Sequence, residues 1–249
     1  MSDPLLMKLV GRFPLSNDDK EDVRRAIVRV RKFIGKEDII SEGDNPDHVH
    51  VIQSGFAYRC KSLPDQTRSI IAYLVPGDIC DLNVSVLGRM DHSVVSIGRS
   101  EVAMIPRETL DHLTASNPAI NRALQWSALV DEAILRRWLI NMGRRSADKH
   151  MTHLFCELLV RLDRVGLVEA NTFTLPCRQT DLGDMMGVSF VHINRRLQAL
   201  RSQGLIVLTG KTLSIPDVDR LKAFADFSSD YLHLTPMPQD ITPNTLVTA

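Results

Sequence analysis

The chain has 249 residues, 44% hydrophobic, 24% charged and 5% aromatic. This is globular composition, enough for one or two domains whose core needs no disulfides. Thirty Lys+Arg balance thirty Asp+Glu, so no global basic charge is available for nucleic acid and any such surface must be local.

No apolar run approaches the ~18 residues of a membrane-crossing helix. Met1–Lys8 is too short and too polar for a secretory signal. Cys60, Cys80, Cys156 and Cys177 lie far apart, with no C-x-x-C. That spacing argues against a disulfide framework, a zinc ribbon and a clustered iron–sulfur site. The expectation is a cytoplasmic, reduced protein with no membrane partner, in which Cys60 and Cys156 are buried.

In chain order, Ser16 reads as the N-cap of a short helix, with acids in its first turn. From about Ile27 to Pro106 the texture becomes β-like. Runs at 39–40, 49–52, 69–75 and 93–97 are separated by turn signals at Gly43-Asp44, Ser54-Gly55, Pro64-Asp65, Pro76-Gly77-Asp78 and Gly98. Short strands and tight turns in this rhythm suggest a small antiparallel barrel or β-roll.

Asn117 then caps a helix with Pro118 at its first position. The helix runs to about Met142. Arg122, Gln125, Glu132 and Arg136 form one narrow polar stripe. Ile120, Leu124, Val130, Ile134, Trp138 and Leu139 spread over most of the remaining surface. A helix this apolar needs cover on more than one side. The roll covers one side, and a second copy of the helix is the economical cover for the other, implying a two-fold dimer. Trp126 and Trp138 read as core residues. Gly143-Arg144-Arg145-Ser146 reads as a hinge. A second helix carries Met151, Leu154, Phe155, Leu158, Leu159 and Leu162, and Thr172–Pro176 reads as a short strand.

Arg178–Ile215 is the informative stretch. A helix over about Thr180–Met186 turns at Gly187, where a left-handed conformation is needed. Ser189 caps a second helix, which reads as residues 189–202. Its Ile193, Leu197 and Leu200 share the inward face, leaving Val191, Asn194, Arg195 and Gln198 outward. Residues 205–208 and 212–215 flank Thr209-Gly210-Lys211 as a β-hairpin wing. From Arg178 to Lys211 five basic residues face two acidic ones, a basic patch hidden inside the neutral total. Such a helix fits a major groove. Arg195 suits guanine, and Asn194 or Gln198 suits adenine. Lys211, Arg201 and the backbone N–H groups near Thr180 suit phosphates. Gln179 and His192 complete the candidate DNA-facing set with Thr180, Ser189, Phe190, Val191, Asn194, Arg195, Gln198 and Lys211.

Most of the chain, about Arg31 to Leu221, resembles the Crp/Fnr family of bacterial transcription regulators. The resemblance rests on the glycine-punctuated roll, the long helix and the block G-V-S-x-x-x-I-N-R-x-L…L-x-x-x-G-L-I…GKTLSI. It implies an α+β architecture: an N-terminal antiparallel, cyclic-nucleotide-binding-like β-roll, a long dimerisation helix and a C-terminal winged helix-turn-helix. The corresponding divisions are 1–116, 117–143 and 144–234, with 235–249 a disordered tail. It also implies a homodimer on double-stranded DNA, with RNA polymerase a candidate partner.

Two departures matter. Family members that bind cyclic nucleotides carry G-E-L-(G/A) followed by R-S, with Glu on the ribose and Arg on the phosphate. Here the matching stretches are Asp78–Val84 and His92-Ser93. No Glu stands at the ribose position and His92 replaces the Arg. The effector loop therefore reduces to Asp81, Leu82, Asn83, His92 and Ser93, and cAMP is not the expected effector. Oxygen-sensing relatives carry an N-terminal cysteine cluster, which this chain lacks. In the recognition helix the usual Arg-Glu pair is Phe190-Val191, which implies a different operator, with an apolar contact to a thymine methyl.

One rival reading uses Asp47-His48-Val49-His50. Alternate strand residues share a face, so His48 and His50 together would suit a cupin-like metal enzyme. The carboxylate and third histidine that such a site needs are absent at the expected spacing. Cys80, Asp81 and His92 are a second candidate cluster, for redox or metal sensing. No nucleophile–base pair, phosphate-cradling Gly loop or H-E-x-x-H is present. The expectation is no catalytic residue, no metal and no cofactor.

Overall fold

Asp3 accepts a hydrogen bond from Leu6 N–H and starts α1 (Pro4–Val10), whose Leu5, Leu6 and Leu9 are buried. Two turns have little intrinsic stability, so this helix depends on packing and left no periodic signal. The computed structural model describes residues 3–65 and 67–235. The expected tail beyond 235 lies outside these residues. At α2 (Asn17–Ala26) Ser16 and Asp19 form a reciprocal capping box, at 3.1 and 2.8 Å.

The roll is a five-stranded antiparallel sheet of β1 (Arg29–Gly35), β2 (Asp38–Ile40), β3 (His48–Ser62), β4 (Arg68–Leu74) and β5 (Ser93–Pro106). Its order is β1-β5-β3-β4, with β2 also on β5. A short α3 (Val84–Leu87) precedes β5. β3 and β5 pair from His48↔Pro106 to Cys60↔Ser93, with register shifts between Ile52 and Phe56. Sequence signals at Ser54-Gly55 and Gly98 read as turns, yet both lie inside strands. Gly55 sits at φ +74°, and a Cβ there would lie 2.2 Å from Arg99 O. The glycine marks a bulge where two backbones meet.

After α4 (Arg107–Ser116), Asn117 Oδ1 accepts from Ala119 and Ile120 N–H and opens α5 (Pro118–Arg144), about 40 Å long. The helix outlasts its expected end. Gly143 and Arg144 complete the last turn, and Arg145 N–H bonds Asn141 O before the chain turns extended. The break is therefore Arg145-Ser146 rather than Gly143. Ile120, Leu124, Val130, Ile134, Trp126 and Trp138 are buried, whereas Leu129, Leu135, Leu139, Ile140 and Met142 are exposed.

Ser146 caps α6 (Ala147–Asp163). Then follow β6 (Thr172–Thr174), α7 (Gln179–Met186), α8 (Phe190–Ser202), β7 (Val207–Thr209), β8 (Thr212–Ser214) and α9 (Val218–Ala225). β6, β8 and β7 form a second antiparallel sheet. Beyond α9 the chain doubles back, and a short 3-10 turn, Asp230–Leu232, packs on α5.

A buried chain of charges ties these pieces together. Asp78, in the turn after β4, pairs with Lys8 of α1 at 2.9 Å and with Arg161 of α6 at 2.5 Å. Burial alone would raise the Asp78 carboxyl, but Lys8 and Arg161 hold it down to about 2. Arg161 also bonds Tyr73 O and Glu157. Glu157 is fully buried and accepts from Trp138 Nε1 at 3.2 Å and Tyr231 Oη at 2.8 Å. Buried charges are tolerated only when paired and hydrogen-bonded, so this network fixes the roll, α5, α6 and the C-terminal turn against one another.

Candidate nucleic-acid interface and effector cavity

The helix-turn-helix is built from its core outward. Leu182 and Met185 of α7 and Ile193, Leu197 and Leu200 of α8 are all at most 2% exposed. Gly187 ends α7 at φ +66°, a left-handed conformation that costs glycine little. Ser189 Oγ then accepts from His192 N–H at 3.3 Å and starts α8. With one face locked inward, Phe190, Val191, Arg195 and Gln198 must point to solvent, and all four are exposed.

Polar contacts pre-set parts of this face. Asn194 Nδ2 donates to Gln179 Oε1 at 3.1 Å, joining α8 to α7. His192 receives Arg196 Nε at 3.2 Å, and Arg195 NH2 lies 3.4 Å from its other ring nitrogen. Arg196 also reaches Asp148 of α6 at 3.4 Å, which turns it away from the open face. Thr180 is exposed at the α7 N-terminus and Lys211 at the wing tip beside Gly210. Arg178 is exposed and leads into α7.

A cavity of about 250 Å³ lies between the roll and α5. Asp81, Leu82, Asn83 and His92 line it, together with Arg59, Arg89, Asp131 and Glu132. Arg59 NH2 pairs with Asp131 of α5 at 3.0 Å and also donates to Ile79 O. His92 is bound to Asp91 through Nδ1 at 2.6 Å. Burial lowers its pKa, against the pull of Asp91.

Family comparisons agree with this architecture. The cyclic nucleotide-binding domain matches residues 30–117, and the Crp-like helix-turn-helix domain matches residues 135–224. The chain belongs to the Crp/Fnr family of transcription regulators. It is 28% identical over 207 residues to the transcriptional activatory protein AadR of Rhodopseudomonas palustris, covering 83% of this chain and 85% of that one. It is 27% identical over 194 residues to the nitrogen fixation regulation protein FixK of Bradyrhizobium diazoefficiens, covering 78% and 80%. Its fold matches the solved structure of FixK2 from Bradyrhizobium japonicum at TM-score 0.69 and 22% identity, covering 80% and 98%.

As a Crp/Fnr regulator the chain is a DNA-binding protein and not an enzyme. The cupin-like reading finds no support. His48 Nδ1 is held by Asp47 at 2.5 Å, and His50 Nδ1 by Asp81 at 3.1 Å, so the two rings serve different carboxylates. Among the described residues no group of three or more His, Cys, Asp or Glu is placed to hold a metal.

Of the five residues read as the effector loop, Asp81, Leu82, Asn83 and His92 line the cavity and Ser93 does not. The Asp81 carboxylate has no exposure and is spent on His50 N–H, the His50 ring and Arg107. Ser93 Oγ accepts from Glu42 N–H and lies outside the cavity lining. The family resemblance placed both residues at the loop, and only packing decided what their side chains bond. Arg59 and Asp131 went unnoticed because they are 72 residues apart and meet only in the folded chain. Cys80 is buried with its thiol pushed well above the usual range by burial, which removes it as a reactive thiol. Among the described residues no helix is long and apolar enough to cross a membrane.

Proposed function

We propose that the chain acts as a homodimer that reads a two-fold symmetric operator, one α8 per half-site, with half-site centres about 34 Å apart. The observation that carries this reading is the split α8. Its Ile193, Leu197 and Leu200 are locked in the core while Val191, Arg195 and Gln198 stand in solvent, with Thr180 and Lys211 also exposed. Arg195 pairs with guanine and Gln198 with adenine, while Phe190 and Val191 meet thymine methyls. Asn194, Gln179 and His192 set the orientation of those side chains. Thr180, Ser189 and Lys211 hold phosphates.

Dimerisation is supported by Leu129, Leu135, Leu139, Ile140 and Met142, large apolar side chains left exposed on α5 among Gln125, Glu132 and Arg136. Exposed apolar side chains on a long helix suit isologous packing against its own copy. RNA polymerase is the proposed partner on the DNA. cAMP is not the proposed effector. The position that carries the phosphate-binding Arg in nucleotide-binding members is His92 here, and Arg59 of the same cavity is engaged by Asp131, so a cyclic phosphate lacks the family's bidentate partner.

Selection from a random DNA pool by the full chain, at near-physiological salt and with or without a small-molecule cell extract, tests the proposal. A two-fold symmetric consensus is the expected result. No enrichment under either condition, or an unpaired single half-site, would refute it.

A further inference from the structure

The first helix of the helix-turn-helix does not stand free of the roll. Arg68, at the start of β4, sends Nε to Asp184 Oδ2 at 3.1 Å, and its NH2 bonds the same oxygen. That NH2 also lies 3.4 Å from Asp181 Oδ1. Lys36, in the turn between β1 and β2, reaches Asp181 Oδ1 at 2.6 Å. Both acids belong to α7. Asp181 is fully buried, and its other oxygen accepts from Arg178 N–H at 2.9 Å, capping the helix.

The cations are themselves held. Arg68 NH1 bonds Tyr58 Oη at 2.5 Å, and its guanidinium lies 5.0 Å over the Tyr58 ring, which is buried in the roll. An arginine fixed by stacking and by several hydrogen bonds is already ordered before it meets a carboxylate. The path continues inside the DNA-binding domain, because Gln179 of α7 bonds Asn194 of α8. A shift of α7 on the roll is therefore passed to the outward face of α8.

We propose that Arg68 and Lys36 of the roll are positioning residues for DNA reading, acting through Asp184 and Asp181 to set the angle of α7 and α8. The proposal rests on the reading of α8 as the base-reading helix. It gives the roll a direct mechanical hold on the reading head of its own protomer, separate from the α5 contact. A change in the roll that withdraws Arg68 shifts the register of base contacts while leaving phosphate contacts largely in place.

The test is the ratio of specific to non-specific DNA affinity, measured on the full-length protein with its selected operator and a scrambled duplex. Charge alone changes both affinities together, so the ratio isolates positioning. Arg68→Gln and Arg68→Asp should lower the ratio between about threefold and thirtyfold, with Lys36→Gln giving a smaller drop in the same direction. The swap Arg68→Asp with Asp184→Arg should recover the ratio to within about threefold of the parent. Thermal melting confirms that each variant is folded, and the swap keeps the test valid if Arg68→Asp alone is unstable. An unchanged ratio in Arg68→Gln, or no recovery in a folded swap, overturns the proposal. A parent ratio near one instead overturns the base-reading assignment beneath it.

Discussion

Tyr231→Phe removes one oxygen from the centre of the inter-domain network. Tyr231 Oη donates to Glu157 Oε2 at 2.8 Å, and Glu157 has no exposure. Its remaining donors are Trp138 Nε1 at 3.2 Å and Arg161 NH1 at 2.9 Å. A hydrogen bond to a buried charge is worth roughly 1.5–3 kcal/mol. The ring keeps its packing on His153, Phe227 and Arg137 in the variant, so this figure is the main cost. At about 2–4 °C per kcal/mol for a chain of this size, a loss of about 2 kcal/mol lowers Tm by about 6 °C. Differential scanning calorimetry at pH 7 measures it. A shift below about 1 °C would mean that the C-terminal turn is not seated on α5 and α6 in solution, and the network would lose its role in joining the domains.

Three further outcomes follow from the geometry. Arg195→Ala should cost about 1–3 kcal/mol on the selected operator and relax preference at one base position in each half-site; an equal loss on every sequence would make Arg195 a phosphate contact. Leu139→Glu should convert the proposed dimer to monomer on light scattering, because Leu139 is 72% exposed in the protomer, the most exposed of the large apolar side chains on α5; an intact dimer would place the interface elsewhere. Burial, with Arg145 nearby, pushes His150 down to about 4 and His153 down to about 3. Both stay neutral in the folded protein while the unfolded chain takes up protons below about pH 6.5. Their stabilising effect is therefore full above pH 6.5 and declines as pH falls toward 4, by up to about 1.4 kcal/mol per pH unit for each histidine. Urea titrations at pH 7, 6 and 5 should show that decline, and the double variant His150→Asn/His153→Asn should flatten it; equal slopes in parent and variant would refute the assignment.

Local chemistry in the sequence determined what lies within one element. Ser16, Asn117 and Ser189 cap the helices they were expected to cap, because a cap is a contact across three residues. The outward face of α8 was legible for the same reason: Ile193, Leu197 and Leu200 fix the helical phase, and every other side chain follows from it. Turn signals were less faithful. Gly55 and Gly98 read as chain reversals but serve long strands, since φ > 0 fits a bulge as well as a turn. Gly143 read as a hinge but lies in the last turn of α5, where the tertiary contacts of the preceding turns outweigh its weak propensity.

Contacts between elements were decided only by the tertiary structure. Lys8, Asp78 and Arg161 form one buried cluster from three distant segments. Arg59 with Asp131, and Arg68 with Asp184, join the roll to α5 and to α7. Asp81 lines the cavity, but its carboxylate is bound to His50 and Arg107. The physical reason is range. Capping and helical phase act over three to seven residues and leave a pattern in the chain. A buried ion pair forms wherever packing excludes water around two opposite charges, and nothing in the spacing of those residues records it.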